Sequence, residues 1–191
     1  MTIVRASASP SVLSVHVGDG HAFGKAPRDA IRLVENWGVE GDAHAGLTDQ
    51  HLYHIRRFGR TPNLRQVHLI QSETLAEVGA KGFVVQPGAL GENISTRNVD
   101  LLSLPTGTRL ALGSEAVIEL TGLRSPCAQI DRFQAGLLAQ FVDRSATGVR
   151  YTCGVMSIVI RGGEVRSDDI ISIALPSGPH SPLIYVKPTS A

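Results

Sequence analysis

The chain has 191 residues, 42% of them apolar and 18% charged, and a formal net charge of +1. This is the composition of a soluble single domain with a real core; it excludes a disordered or fibrous chain and gives no global case for nucleic-acid binding. No apolar run reaches the ~20 residues that span a bilayer, so no membrane partner is expected. The N-terminus has no basic stretch followed by an apolar one, so no secretory signal is read, and the two cysteines make no disulfide framework. A reducing, cytoplasmic setting is the expectation.

Twenty glycines and ten prolines punctuate short apolar runs, the pattern of an all-β barrel or sandwich. Val12 to Val17 alternates and predicts a first strand; Ala30 to Val34 is a second short apolar run, ahead of a turn at Gly38 and Gly41. Arg65 to Ile70 continues with β-type residues. Ser72 to Val78 predicts a short helix that Ser72 caps and Gly79 closes. Gln86-Pro87-Gly88 and Leu104-Pro105-Thr106-Gly107 are turn signals. Arg109 to Leu112 and Ala116 to Leu120, separated by Gly113-Ser114-Glu115, predict a hairpin. Asp131 to Val142 predicts a second helix, with Phe133, Leu137, Leu138 and Phe141 on one face. Val155 to Ile160 and Ile170 to Leu175, on either side of Gly162-Gly163, predict a last hairpin. From Pro176 onward Ser, Pro, His and Thr surround one apolar patch, Leu183 to Val186. Residues 1–175 thus read as one mostly antiparallel β domain with two or three short helices, and residues 176–191 as a tail, either mobile or laid over the surface.

Four segments carry candidate chemistry. In Gly38-Val39-Glu40-Gly41-Asp42-Ala43-His44-Ala45-Gly46, glycines allow left-handed backbone around a carboxylate and an imidazole; an Asx turn with an incidental histidine is the competing reading. In Pro87-Gly88-Ala89-Leu90-Gly91-Glu92-Asn93-Ile94, glycines let backbone amides approach a ligand beside Asn93, and a capped loop explains the segment equally well. A basic group, Lys25 and Arg28 followed by His51, His54, Arg56, Arg57, Arg60 and Arg65, suggests an anion site within a largely solvated face. The fourth, Thr121-Gly122-Leu123-Arg124-Ser125-Pro126-Cys127, sets a thiol just past a strand end, behind a proline and near an arginine. A thiolate is a nucleophile and a metal ligand, and a nearby cation favours it; a small buried hydrophobe is the alternative. Cys153, inside an apolar run, reads as core. Dinucleotide and phosphate-binding loops, a nucleophile elbow and His-Glu-x-x-His are all missing, and a zinc site from His44, His51, His54 and Cys127 would have irregular ligand spacing.

Taken in order, GVEGDAHAG (Gly38 to Gly46), RQVHLI (Arg65 to Ile70), GALGENIST (Gly88 to Thr96), LPTGTRL (Leu104 to Leu110), TGLRSPC (Thr121 to Cys127) and GVMSIVIRGGEVRSDDII (Gly154 to Ile171) resemble the MOSC domain. That module is named for the C-terminal part of molybdenum cofactor sulfurases, and the resemblance runs from Val12 to Ile173 in a stand-alone, bacterial-type form. It implies a mostly β fold, a β-barrel with two or three short helices. It also implies a working Cys127, either as direct ligand of molybdenum in a bound pterin cofactor (molybdopterin) or as carrier of a persulfide. Lys25, Arg28 and Arg124 would then hold the pterin phosphate, with Asn93, Gly41, Asp42 and His44 lining the pocket. The segment His51 to Arg60 is less typical of the family and marks a different ligand. Pyridoxal phosphate is discounted, because the chain carries no cysteine-desulfurase-like domain.

Three functions follow as expectations. The first is two-electron reduction of an N-oxygenated small molecule at molybdenum, with electrons from a separate reductase, since no flavin or iron–sulfur motif is present. The second is a sulfur-carrier or cofactor-handling protein with a persulfide on Cys127 and a separate sulfur donor. The third is a binding module for a phosphorylated ligand.

Overall fold

Short apolar runs broken by glycine turns form thirteen strands in the computed structural model, which describes residues 9–20, 22–145 and 148–185. In chain order they are β1 (Ser11–Val17), β2 (Ala26–Arg28), β3 (Ala30–Val34), β4 (Gly38–Val39), β5 (Val67–Gln71), β6 (Ile94–Arg97) and β7 (Arg109–Leu112). Then come β8 (Ala116–Leu123), β9 (Val142–Ser145), β10 (Gly148–Tyr151), β11 (Val155–Arg161), β12 (Gly163–Arg166) and β13 (Ile171–Ala174). Three helices, α1 (Leu52–Phe58), α2 (Ser72–Ala80) and α3 (Gln129–Phe133), sit between them. No helix among the described residues is long and apolar enough to cross a membrane.

Eight strands form one sheet in the order β13-β7-β8-β11-β5-β6-β1-β2, antiparallel throughout except for the β5–β6 pair. A parallel pair needs a crossover, and α2 supplies it. A second sheet, β12-β3-β4, packs its Ile31, Leu33 and Val165 against Val12, Val15, Ile118 and Val159 of the large sheet in the main core. Among the described residues no ladder closes the expected barrel: β2 and β13 are edges, and the sheet curls until the approach to β13 meets β1 at the bridge Ser11–Ile170. A smaller core joins Leu75 and Val78 of α2 to Ile130, Leu137 and Phe141. Strand alternation divides β5 between the two: Val67 and Leu69 enter the main core, while Ile70 turns to the small one. His68 shares the face of Ile70, and that face carries the site.

The first strand and the β7–β8 hairpin fall where the pattern predicts them. Three expectations are corrected. The helix predicted over Asp131 to Val142 breaks into α3, a turn and a 3-10 segment, Leu138–Phe141. Gly136, at φ +82°, makes the turn, and Asp131 Oδ1 accepts the Leu138 N–H at 2.8 Å. The last predicted hairpin does not pair: β11 joins β8 and β5, and β13 joins β7. Ser72 is the first residue of α2 and not its cap, and the helix continues past Gly79.

The described part of the tail lies across the molecule. Thr106 N–H donates to Ser181 O and Leu123 N–H to Ile184 O, each at 2.9 Å, and Leu183 is buried in the main core. Val186 of the predicted apolar patch lies outside the described residues.

Candidate functional site

The site is assembled on the carboxylate of Asp42. Gly41 (φ +76°) turns the chain so that this side chain points inward, where it is wholly buried. Its Oδ2 accepts from Lys25 Nζ at 2.7 Å, Asn93 Nδ2 at 2.9 Å and Gly18 N–H at 3.2 Å; its Oδ1 accepts from His44 N–H at 3.0 Å. Burial pushes the Asp42 pKa up, but the hydrogen bonds from His44 and the charge and hydrogen bond of Lys25 outweigh it, so the carboxyl stays well below the usual range. Burial lowers the Lys25 pKa against the pull of Asp42.

Asn93 ties three segments together. Besides its bond to Asp42, its Oδ1 accepts the His68 N–H at 3.2 Å and its Nδ2 reaches His16 O at 3.3 Å. The loop that presents it is organised by Glu92, a fully buried carboxyl raised in pKa by burial. Glu92 accepts from Gly88 N–H at 2.6 Å, Leu90 N–H at 3.2 Å and Ser95 Oγ at 3.1 Å. The competing reading of this segment as a capped loop is therefore half right: Glu92 holds the loop and Asn93 faces the cavity.

Above this floor lies a cavity of about 200 Å³, lined by Lys25, His44, Asn93, Arg124 and Cys127 from the predicted set. Asp42 is the support beneath them. Gly41 shapes the turn without lining the space, and Arg28 lies outside it, exposed on β2 with its Nη1 on Pro27 O at 3.2 Å. Cys127 is half-buried, and its Sγ has one long contact, to Gln129 Oε1 at 3.5 Å. Arg124 is anchored through its backbone N–H to Gly154 O at 3.0 Å, while its side-chain Nη1 is buried without a hydrogen-bond partner among the described residues. Cys153 is core, as its apolar run predicts: its Sγ donates to Arg124 O at 3.2 Å, and burial pushes its pKa up. Gly154, at φ +112°, is a close approach, since a Cβ there would lie 2.6 Å from His68 Nε2.

Several lining residues were not singled out as site residues by motif. Arg65 also keeps a buried Nη1 without a partner among the described residues, and its guanidinium lies 5.7 Å from the ring centroid of Tyr185, in the tail. Asp49 accepts from His54 Nδ1 at 2.6 Å, and Tyr185 Oη lies 3.4 Å from His54 Nε2. His51 stacks on His54 with ring centroids 4.5 Å apart. His68, fully buried, has a pKa driven well below the ordinary histidine value by burial. The local excess of His and Arg was the signal available; Asp49 carried none. Among the described residues no group of three or more His, Cys, Asp or Glu is placed to hold a metal ion.

Phe23, Leu90 and Met156 supply apolar wall between these polar groups. The arrangement can take a small anionic ligand with a soft centre: a thiol, two arginines with unmet donors, a lysine and apolar flanks converge on one space.

The MOSC domain family matches residues 40–172 of this chain. Among solved structures, the YUAD protein from Bacillus subtilis is similar at 27% identity, with a TM-score of 0.73 over 87% of this chain and 96% of that one. YiiM from Escherichia coli is similar at 19% identity, with a TM-score of 0.62 over 91% of this chain and 73% of that one. YiiM from Geobacillus stearothermophilus stands at 14% and 0.61, covering 86% and 75%. These last two show the shared fold alone. No curated protein sequence matches. With the match extending from the Asp42 loop through the Cys127 segment to β13, the chain belongs to the MOSC domain family.

Proposed function

We propose that this protein binds the molybdenum cofactor, with Cys127 as its ligand to the metal, and reduces N-oxygenated small molecules using electrons from a separate reductase. The observation that carries the reading is the pairing of a half-buried thiol with two arginines, Arg65 and Arg124, whose buried Nη1 atoms have no partner among the described residues. Unmet buried donors of this kind cost free energy unless a ligand supplies an acceptor, and an anionic cofactor would supply several. The residues therefore fit the group. Bound there, it would provide the two-electron chemistry that side chains cannot. Arg124 and Arg65 would bind its anionic oxygens, over a floor fixed by the buried Lys25–Asp42 pair. Asn93 would offer an amide edge, and Phe23, Leu90 and Met156 would exclude water from the thiol side.

A second reading has its own support. Cys127 is the thiol on the cavity, while the other, Cys153, is buried with its Sγ donating to Arg124 O, so a persulfide would be carried on Cys127. Cys127 would then carry sulfur between partners. Elemental analysis and intact mass separate the readings in protein from molybdate-supplied cells. Molybdenum with pterin, lost in Cys127→Ala, supports the first. A one-sulfur mass increment on Cys127 without molybdenum supports the second, and neither signal in folded protein sinks both.

A further inference from the structure

The segment from Asp49 to His54 forms a second wall of the cavity that the proposed function does not use. We propose that His51 is the proton-exchanging group of this site: when a tetrahedral oxyanion binds against Arg65 and Arg124, the His51 imidazole takes up a proton, and Asp49 and His54 hold it in place to do so. The inference shares the cavity of the proposed function but gives Cys127 no part.

The geometry is specific. His51 lines the cavity, and its Nδ1 is buried without a hydrogen-bond partner among the described residues, like the Nη1 atoms of Arg65 and Arg124 on the same cavity. Its position is fixed from two directions. Its backbone N–H donates to Asp49 Oδ1 at 2.8 Å, and its ring stacks on His54, which Asp49 Oδ2 grips at 2.6 Å. A carboxylate only accepts, so His54 Nδ1 carries the hydrogen and its Nε2 faces the Tyr185 hydroxyl. The dyad is thus fully engaged, and within this segment His51 is the imidazole left to face a ligand.

The charged groups around His51 explain why the proton waits for the anion. Burial, then His54 and Arg65, hold its pKa down to about 4; Asp49 opposes them and His44 adds to them. Arg124, Lys25 and Cys127 line the same cavity, and the Tyr185 hydroxyl lies beside His54. Without a bound anion His51 is therefore neutral at pH 7. A divalent oxyanion offsets the neighbouring cations and offers an acceptor to the imidazole, so the protonated form becomes the favoured one.

Sulfate is the probe, because it keeps its double charge over roughly pH 5.5 to 8, so any pH dependence belongs to the protein. Titration calorimetry on the full chain is expected to show sulfate affinity rising as pH falls, by up to about tenfold per pH unit for one proton taken up. His51→Gln is expected to bind sulfate with that slope flattened, and Arg65→Gln to lose binding, both with wild-type folding by urea titration. Sulfate binding calls on neither molybdenum nor Cys127, so failure of the molybdenum reading appears in metal content and not here. No sulfate binding, a flat wild-type profile, or a wild-type slope in His51→Gln would overturn the assignment.

Discussion

Lys25 and Arg65 face the same cavity, yet Lys25 is ion-paired to Asp42 at 2.7 Å while Arg65 keeps a buried Nη1 with no partner among the described residues. The Lys25 side is finished within the protein: Asp42 collects donors from four segments, and Asn93 links two of them to β5. The opposite wall, made by Arg65, Arg124 and His51, is left incomplete. A buried donor is worth keeping only where something else completes it. The difference teaches that one wall is scaffold and the other is the binding surface, and each prediction below presses on that division.

The largest effect belongs to the scaffold. Asp42→Asn leaves the Lys25 ammonium buried without its counter-charge and should cost about 3–5 kcal/mol in urea unfolding. A cost under ~1 kcal/mol would mean that Lys25 is free to turn outward, and the two walls would no longer differ.

Acid acts on both walls next. His16 and His51 have pKa values lowered to about 4, mainly by burial, so between the ordinary histidine range and pH 4 the unfolded chain binds protons that the folded chain refuses. Stability is therefore full above about pH 6.5 and falls as pH drops toward 4, by on the order of 1–2 kcal/mol per histidine at pH 5. Asp42, depressed in pKa, adds a further loss below the usual carboxylate range. Urea unfolding in anion-free buffer at pH 7, 6 and 5 measures this, and His51→Gln should make the decline shallower. A stability flat from pH 7 to 5 would contradict it.

The two thiols sharpen the division further. Cys153→Ala empties a position in the small core and should cost about 1–2 kcal/mol, whereas Cys127→Ala should stay within roughly 0.5 kcal/mol. Folded protein treated with a thiol reagent should be labelled at Cys127 alone, and labelling of Cys153 without denaturant would refute its place in the core.

A small effect at Arg65 is the most pointed. Arg65→Gln removes a guanidinium that the fold leaves partly unmet, so stability should change by less than about 1 kcal/mol in either direction. A loss as large as that of Asp42→Asn would show Arg65 to be scaffold as well.

Much of the scaffold wall was legible in the sequence, because Asp42, His44 and Asn93 lie in short motifs bracketed by glycine and proline, and Arg124 and Cys127 of the binding surface lie in another. The rest of the second wall was not. Its members come from α1, from the residues ahead of β5 and, through Tyr185, from the tail, and only the folded chain sets Arg65 over the Tyr185 ring. The same holds for the strands. The β7–β8 hairpin is a local pairing and could be read from its turn. The partners of β11 and β13 depend on sheet order, which no local pattern encodes, and the predicted Asp131 to Val142 helix had the right apolar spacing but ran through Gly136. Arg28 was grouped with Lys25 by proximity in sequence, but it ends β2, whose three residues are all exposed.

The central claim is that Cys127 ligates molybdenum in this cavity, and X-ray absorption at the molybdenum edge addresses it most directly. The wild-type spectrum should require one more sulfur neighbour than that of Cys127→Ser, or the variant should hold no molybdenum at all. Equal molybdenum content with an identical sulfur count in both proteins would contradict the claim.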